Sequence, residues 1–161
     1  FIKITMGFKD MFDKGINIET APSIWITIPI LTLLGITFIR ISFGLEHHFS
    51  APLAKSSLFV LTSVVLSLQI IFGVLGYMIM KKMDYFTKYI ESTNKSAISF
   101  ALICPGVAFM VFGMFFINYG LAYNNIIDKY SIVYFIIMLP FIYIQMKTII
   151  YFFKLYKKFE F

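Results

Sequence analysis

AISFALICPGVAFMVFGMFFINYGL, residues 97–121, runs for twenty-five positions without one charged side chain. As an α-helix rising 1.5 Å per residue it would reach about 37 Å, and a bilayer hydrocarbon core is about 30 Å thick. The stretch shows no alternation of period two and is about twice the length of a barrel strand, so helix is the expectation. Three more stretches read the same way. They are PSIWITIPILTLLGITFIRISF (22–43), residues 57–80 and residues 132–153. The expected fold is therefore all-α and integral to a membrane, with four transmembrane helices.

Composition agrees. The 161 residues are 60% hydrophobic and only 14% charged, with a mean hydropathy of +0.85. A soluble domain carries nearly twice that share of charge, so lipid is the main expected solvent and partner. The formal charge of +6 is spread through short segments between apolar runs. It forms no single basic face, and nucleic acid is not an expected partner. Cys104, the only cysteine, lies inside an apolar run, which excludes an intramolecular disulfide and a CxxC-type metal site.

Local chemistry places the boundaries. Pro22 suits a first helical turn, with Thr20 as a cap before it, and Trp25 has the position of an interfacial anchor. Glu46-His47-His48 and Ala51-Pro52 close the first span in a loop, and Lys81-Lys82 stop the second. Residues 1–21, mixing Lys3, Lys9, Lys14, Asp10, Asp13 and Glu19 with Met6, Phe8 and Phe12, read as a cytoplasmic amphipathic connector, as if continuing a longer protein. Residues 154–161 read as a cytoplasmic basic tail. Lys and Arg alternate between rich and poor segments. Three lie in the opening segment, Lys55 alone in the first loop, Lys81, Lys82, Lys88 and Lys95 in the second, Lys129 in the third, and Lys154, Lys157 and Lys158 in the tail. By the positive-inside rule both ends and the middle loop face the cytoplasm.

Residues able to carry chemistry are few. Pro29, Pro105 and Pro140 interrupt spans, and each removes a backbone hydrogen bond and kinks its helix. Pro29 and Pro105 occupy similar depths in the first and third spans, which suggests a repeated helical hairpin. Ser99, Gly106, Gly113 and Gly120 recur every seven residues and share one helix face. Such a face either lets helices approach closely or leaves room for a pore. Leu102, Phe109 and Phe116 keep the same spacing beside it. Arg40, near the far end of the first span, either snorkels or attracts anions at a pore mouth, and Lys147 carries the same ambiguity on the cytoplasmic side. Gln69, Asn118 and Gln145 are available for hydrogen bonds between helices. His47 and His48 are adjacent, with no third histidine, a poor basis for haem or metal ligation. No catalytic motif is present, and no acidic residue lies inside a span. Neither enzyme activity nor a cofactor is expected.

The proline-led PSIWITIPILTLLG (22–35), the central proline of FALICPGVAFMVFG (100–113) and the charge pattern together resemble the C-terminal part of the tellurite-resistance/dicarboxylate transporter family, which includes the slow-type anion channels. That resemblance implies a ten-helix fold of five hairpins, of which this chain supplies the last two. It also implies proline-kinked inner helices around a pore, a trimer, a bacterial inner-membrane location, and small anions as cargo. Pore-lining or gate candidates are then Pro29, Arg40, Cys104, Pro105, Gly106, Phe109 and Gly113. Relatives place a phenylalanine just before the proline corresponding to Pro105. Cys104 stands there instead, so an aromatic gate would fall to Phe100, Phe109 or a residue of the missing half. The alternative function is a non-transporting anchor or structural subunit of a larger membrane complex, such as a respiratory one.

Overall fold

The computed structural model describes residues 9, 15, 17–50 and 54–159. Ala51-Pro52 and most of the connector expected over 1–21 lie outside the described residues. Every regular element described is helical. Four are long and apolar enough to cross a membrane: α1 (Ile18–Phe49), α2 (Lys55–Lys82), α3 (Ala97–Ala122) and α4 (Ile132–Phe159). Their surfaces remain strongly apolar, with Leu33 67%, Met78 60%, Leu139 59% and Ile132 80% exposed. Exposed aliphatic side chains in this density are stable against lipid and not against water.

The helices run beyond their apolar cores. Glu46-His47-His48 form the last turn of α1 and not a loop, and Ser50 ends the helix in the left-handed region at φ 50°. Lys157 and Lys158 sit in the last turn of α4, and Lys81 and Lys82 in that of α2, where cations oppose the negative end of the helix dipole. At the other end of α1, Asn17 and not Thr20 is the cap. Its side chain accepts the Glu19 N–H at 3.2 Å, while Thr20 lies inside the first turn and donates its hydroxyl to the Asn17 carbonyl.

α1 and α3 share an internal construction. Each opens as a 3₁₀-helix, over Ile18–Ile26 and Ala97–Leu102, and becomes α-helical two residues before its proline, at Thr27 ahead of Pro29 and at Ile103 ahead of Pro105. A proline cannot supply the N–H that the carbonyl four residues earlier needs. The tighter 3₁₀ ladder pairs each N–H with the carbonyl three residues back and reassigns the acceptors ahead of the proline. Ile103, for example, donates to the Phe100 carbonyl. α3 then ends as a π-helix over Phe116–Ala122. α4 stays α-helical through Pro140, which is exposed.

α3 is the hub. It packs on α1 along most of its length, on α4, and through Phe116–Ala122 on α2, while α4 barely touches α1 or α2. Glycines mark the close approaches. A Cβ at Gly106 would run into Thr148, at Gly113 into the Phe141 ring, at Gly120 into Thr62, and at Gly35 into the Phe112 ring. The seven-residue stripe therefore receives side chains from neighbouring helices, its close-packing reading.

The starts of α1 and α3 and the ends of α2 and α4 gather at one end around Ala21, Met80, Tyr85, Leu102 and Leu155. There Tyr85 and Ser99 share a 2.8 Å hydrogen bond, and Lys158 donates to the Tyr89 carbonyl at 2.8 Å. Burial pushes the Tyr85 hydroxyl above its ordinary value of 10.0, so the folded state holds that proton more tightly than the unfolded chain. Its stabilising contribution is fully present below pH 10 and is lost as pH rises through the raised value. The alkaline fall in thermal stability should accordingly be smaller in Tyr85→Phe than in the parent, measured by melting in detergent across that range.

Candidate functional site

α2 crosses α3 near Gly120 and Thr62, then parts from it toward Lys82. The gap becomes a crevice of about 530 Å³. Gln69, Ile70, Gly73, Val74 and Tyr77 of α2 form one wall, and Tyr143, Ile144, Lys147, Thr148 and Tyr151 of α4 form the other. Trp25 and Ile28 of α1, with Leu102, Pro105, Gly106 and Phe109 of α3, form the floor. Phe86, in the π turn Phe86–Glu91 that follows α2, closes one end. Its ring lies 5.6 Å from Tyr77 and 6.2 Å from Tyr151, an aromatic bridge between the walls.

A polar layer underlies the crevice. Gln69 is fully buried, and its Nε2 donates to Thr32 Oγ1 at 2.8 Å. Thr32 Oγ1 lies 3.0 Å from the Ile28 carbonyl and 3.2 Å from that of Ala108, so one hydroxyl ties α1 to α2 and α3. The Trp25 indole N–H donates to the Gly73 carbonyl at 3.0 Å, and the ring fills the space a Cβ at Gly76 would need. The indole therefore turns inward as a helix–helix contact. Gln69 Oε1 is buried with no hydrogen-bond partner among the described residues, and so is Gln145 Oε1. An orphaned acceptor of this kind costs about 1–3 kcal/mol, unless water or a ligand group supplies a donor.

The structure divides the sequence candidates. Pro105, Gly106 and Phe109 reach the crevice, and Phe109 packs on Phe141 with ring centroids 5.2 Å apart. Gly113 is buried against Phe141, and Pro29 is half-buried. Cys104 and Arg40 are exposed. Residues two apart on a helix differ by about 200°, so Cys104 turns away from the crevice that Gly106 lines. Ala97, Ala101, Val107 and Val111 are exposed with it on α3, as Leu33, Thr37 and Ile41 are with Arg40 on α1. Phe100 packs on Phe152 and Phe159 of α4.

Asn118 donates to Met114 within its own helix, so of the three amides singled out only Gln69 bonds another helix. Trp25, Thr32, Tyr143 and Thr148 were not legible as site residues. Trp25 and Thr148 lie opposite glycines of another helix, and Thr32 bonds two other helices, signals that appear only once the pairing is known. His47 and His48 stack edge-on at 5.2 Å, and no group of three or more His, Cys, Asp or Glu among the described residues could hold a metal ion. No family model, curated protein or solved structure matches this chain.

Proposed function

We propose that this chain forms the membrane part of a channel or exporter for small anions, with α1 and α3 as inner helices and α2 and α4 as outer helices of two hairpins. The observation that carries this reading is the shared construction of α1 and α3, two parallel, adjacent helices that each switch from 3₁₀ to α just ahead of a proline. Two helices built alike, first and third in chain order, support a fold of repeated hairpins.

The path lies along the exposed face of α1 and α3. Ala97, Ala101 and Cys104 are small toward the lysine-rich end, and Arg40 offers a cation toward the other. No acidic residue falls in α2, α3 or α4, and those of α1, Glu19 and Glu46, lie near its two ends. A weakly binding, carboxylate-free surface lets an anion enter and leave. The lysine-rich end faces the cytoplasm of a bacterial inner membrane, and further hairpins and a trimeric assembly complete the pore. The ten-helix arrangement predicts an intact denatured mass near twice 18.7 kDa for the purified protein, and a mass of 18.7 kDa would rule it out.

Transport itself is read from vesicles loaded with chloride, nitrate or a dicarboxylate. Efflux above that of protein-free vesicles is expected for at least one, and none above background for any of them would overturn the proposal. A second reading, a non-transporting structural subunit, draws on one observation: the Gly106–Gly113–Gly120 stripe is filled by neighbours and opens no channel. It predicts copurification with different membrane proteins after mild solubilisation, where the transport reading predicts copies of this chain alone.

A further inference from the structure

We infer that the crevice between α2 and α4 holds an anionic phospholipid, with its acyl chain on the aromatic floor and its phosphate at Lys147. The shape favours a lipid. The space is about 530 Å³, within the roughly 300–1,000 Å³ of ligand pockets. It lies between two helices that barely touch, with the Tyr77–Phe86–Tyr151 bridge across one end, so its opening is sideways, toward the hydrocarbon. An acyl chain entering from the bilayer gives up no hydration to bind there.

Charge selects the head group. Among the described residues, Lys147 is the single charged side chain in the lining, and no carboxylate lines the crevice with it. Its ammonium group lies 5.6 Å from the Tyr143 ring centroid, a contact that leaves it free to meet a phosphate. Lys154 follows seven residues later, two turns along the same stripe of α4, and extends the positive field toward the lysine-rich end. A basic pocket between membrane helices near such an end is where an anionic head group is stable.

Trp25, the only tryptophan in the chain, lines the crevice and reports on it directly. The purified protein is reconstituted into phosphatidylcholine vesicles containing the same small mole fraction of either acyl-brominated phosphatidylglycerol or acyl-brominated phosphatidylcholine. Bromine quenches indole fluorescence on contact. The anionic lipid is expected to quench with about five-fold higher relative affinity, Lys147→Gln to remove the preference, and Lys147→Arg to keep it. Lys129→Gln, at the opposite end, serves as the surface-charge control and should change nothing. Equal quenching by the two lipids would mean ordinary boundary lipid and overturn the assignment. Absence of quenching by either would mean a crevice closed to lipid, and a preference surviving in Lys147→Gln would put the site elsewhere. Each of these also overturns it. None of the outcomes depends on whether the protein transports anions.

Discussion

Gly113→Leu should largely detach α4 from the bundle, seen as a loss of thermal stability in detergent and a broadened elution profile. Gly113 is buried, and even a Cβ there would run into the Phe141 ring. Overpacking of this kind costs about 1–3 kcal/mol where the neighbours can shift. Here the neighbour is an aromatic ring, itself buried in the cluster with Phe112, Ile117 and Tyr134, so the upper part of that range applies. For a chain of this size, about 3 kcal/mol corresponds to roughly 6–12 °C in melting temperature. α4 is the vulnerable helix because it packs almost wholly on α3 and has little other protein to hold it. Gly44→Leu is the matched control. Among the described residues nothing lies within 4 Å of a Cβ at Gly44, and the melting temperature of Gly44→Leu should stay within a degree or two of the parent. Combining Gly113→Ala with Phe141→Leu should recover part of the loss, since the two positions share one contact. Equal melting of Gly113→Leu and Gly44→Leu would show that the α3–α4 contact is not as described.

That contact was half legible in the sequence. The seven-residue repeat of Ser99, Gly106, Gly113 and Gly120 announces one smooth helix face, because periodicity needs only the chain itself. What meets the face is a property of another helix, and Thr148, Phe141 and Thr62 carry no mark of it. The four spans were legible for the same reason as the stripe, since unbroken apolar length is local information. The 3₁₀ openings were not, although Pro29 and Pro105 signalled that something must happen before them. Proline removes a hydrogen bond, and the choice between a kink and a tighter ladder depends on how the freed carbonyls are accommodated.

Trp25 shows the limit more sharply. An aromatic near the start of an apolar run is equally suited to the membrane interface and to a helix–helix contact. Gly73 and Gly76, forty-eight and fifty-one residues away, decide between them by admitting the indole and accepting its N–H. The crevice follows from that same contact, because the start of α1 wedges between α2 and the opening of α3. No local pattern encodes a gap between two helices, so it was legible only in part, through Pro105, Gly106 and Phe109.

A negatively charged thiol reagent on Cys104 should block anion flux where a positively charged one does not, and this is the most discriminating expectation of the transport reading. Cys104 is the only cysteine, is exposed, and turns away from the crevice, on the face assigned to the path. A methanethiosulfonate bearing a sulfonate adds a negative charge there, and one bearing a quaternary ammonium adds a positive charge of similar bulk. At an effective dielectric constant of about 20, a unit charge roughly 6 Å from a passing anion changes its energy by about 3 kcal/mol, on the order of a hundredfold in rate. The sulfonate should therefore all but stop efflux, while the ammonium reagent leaves it intact or raises it. Cys104→Ala should conduct normally and ignore both, which separates the charge effect from damage to the fold. Equal inhibition by the two reagents would assign the effect to bulk and remove the electrostatic argument. If neither reagent labels the thiol from the aqueous phase, the exposed face of α1 and α3 lies against lipid or a partner helix. The path would then have to leave that face, and the small residues around Cys104 would be a packing surface like the one opposite it.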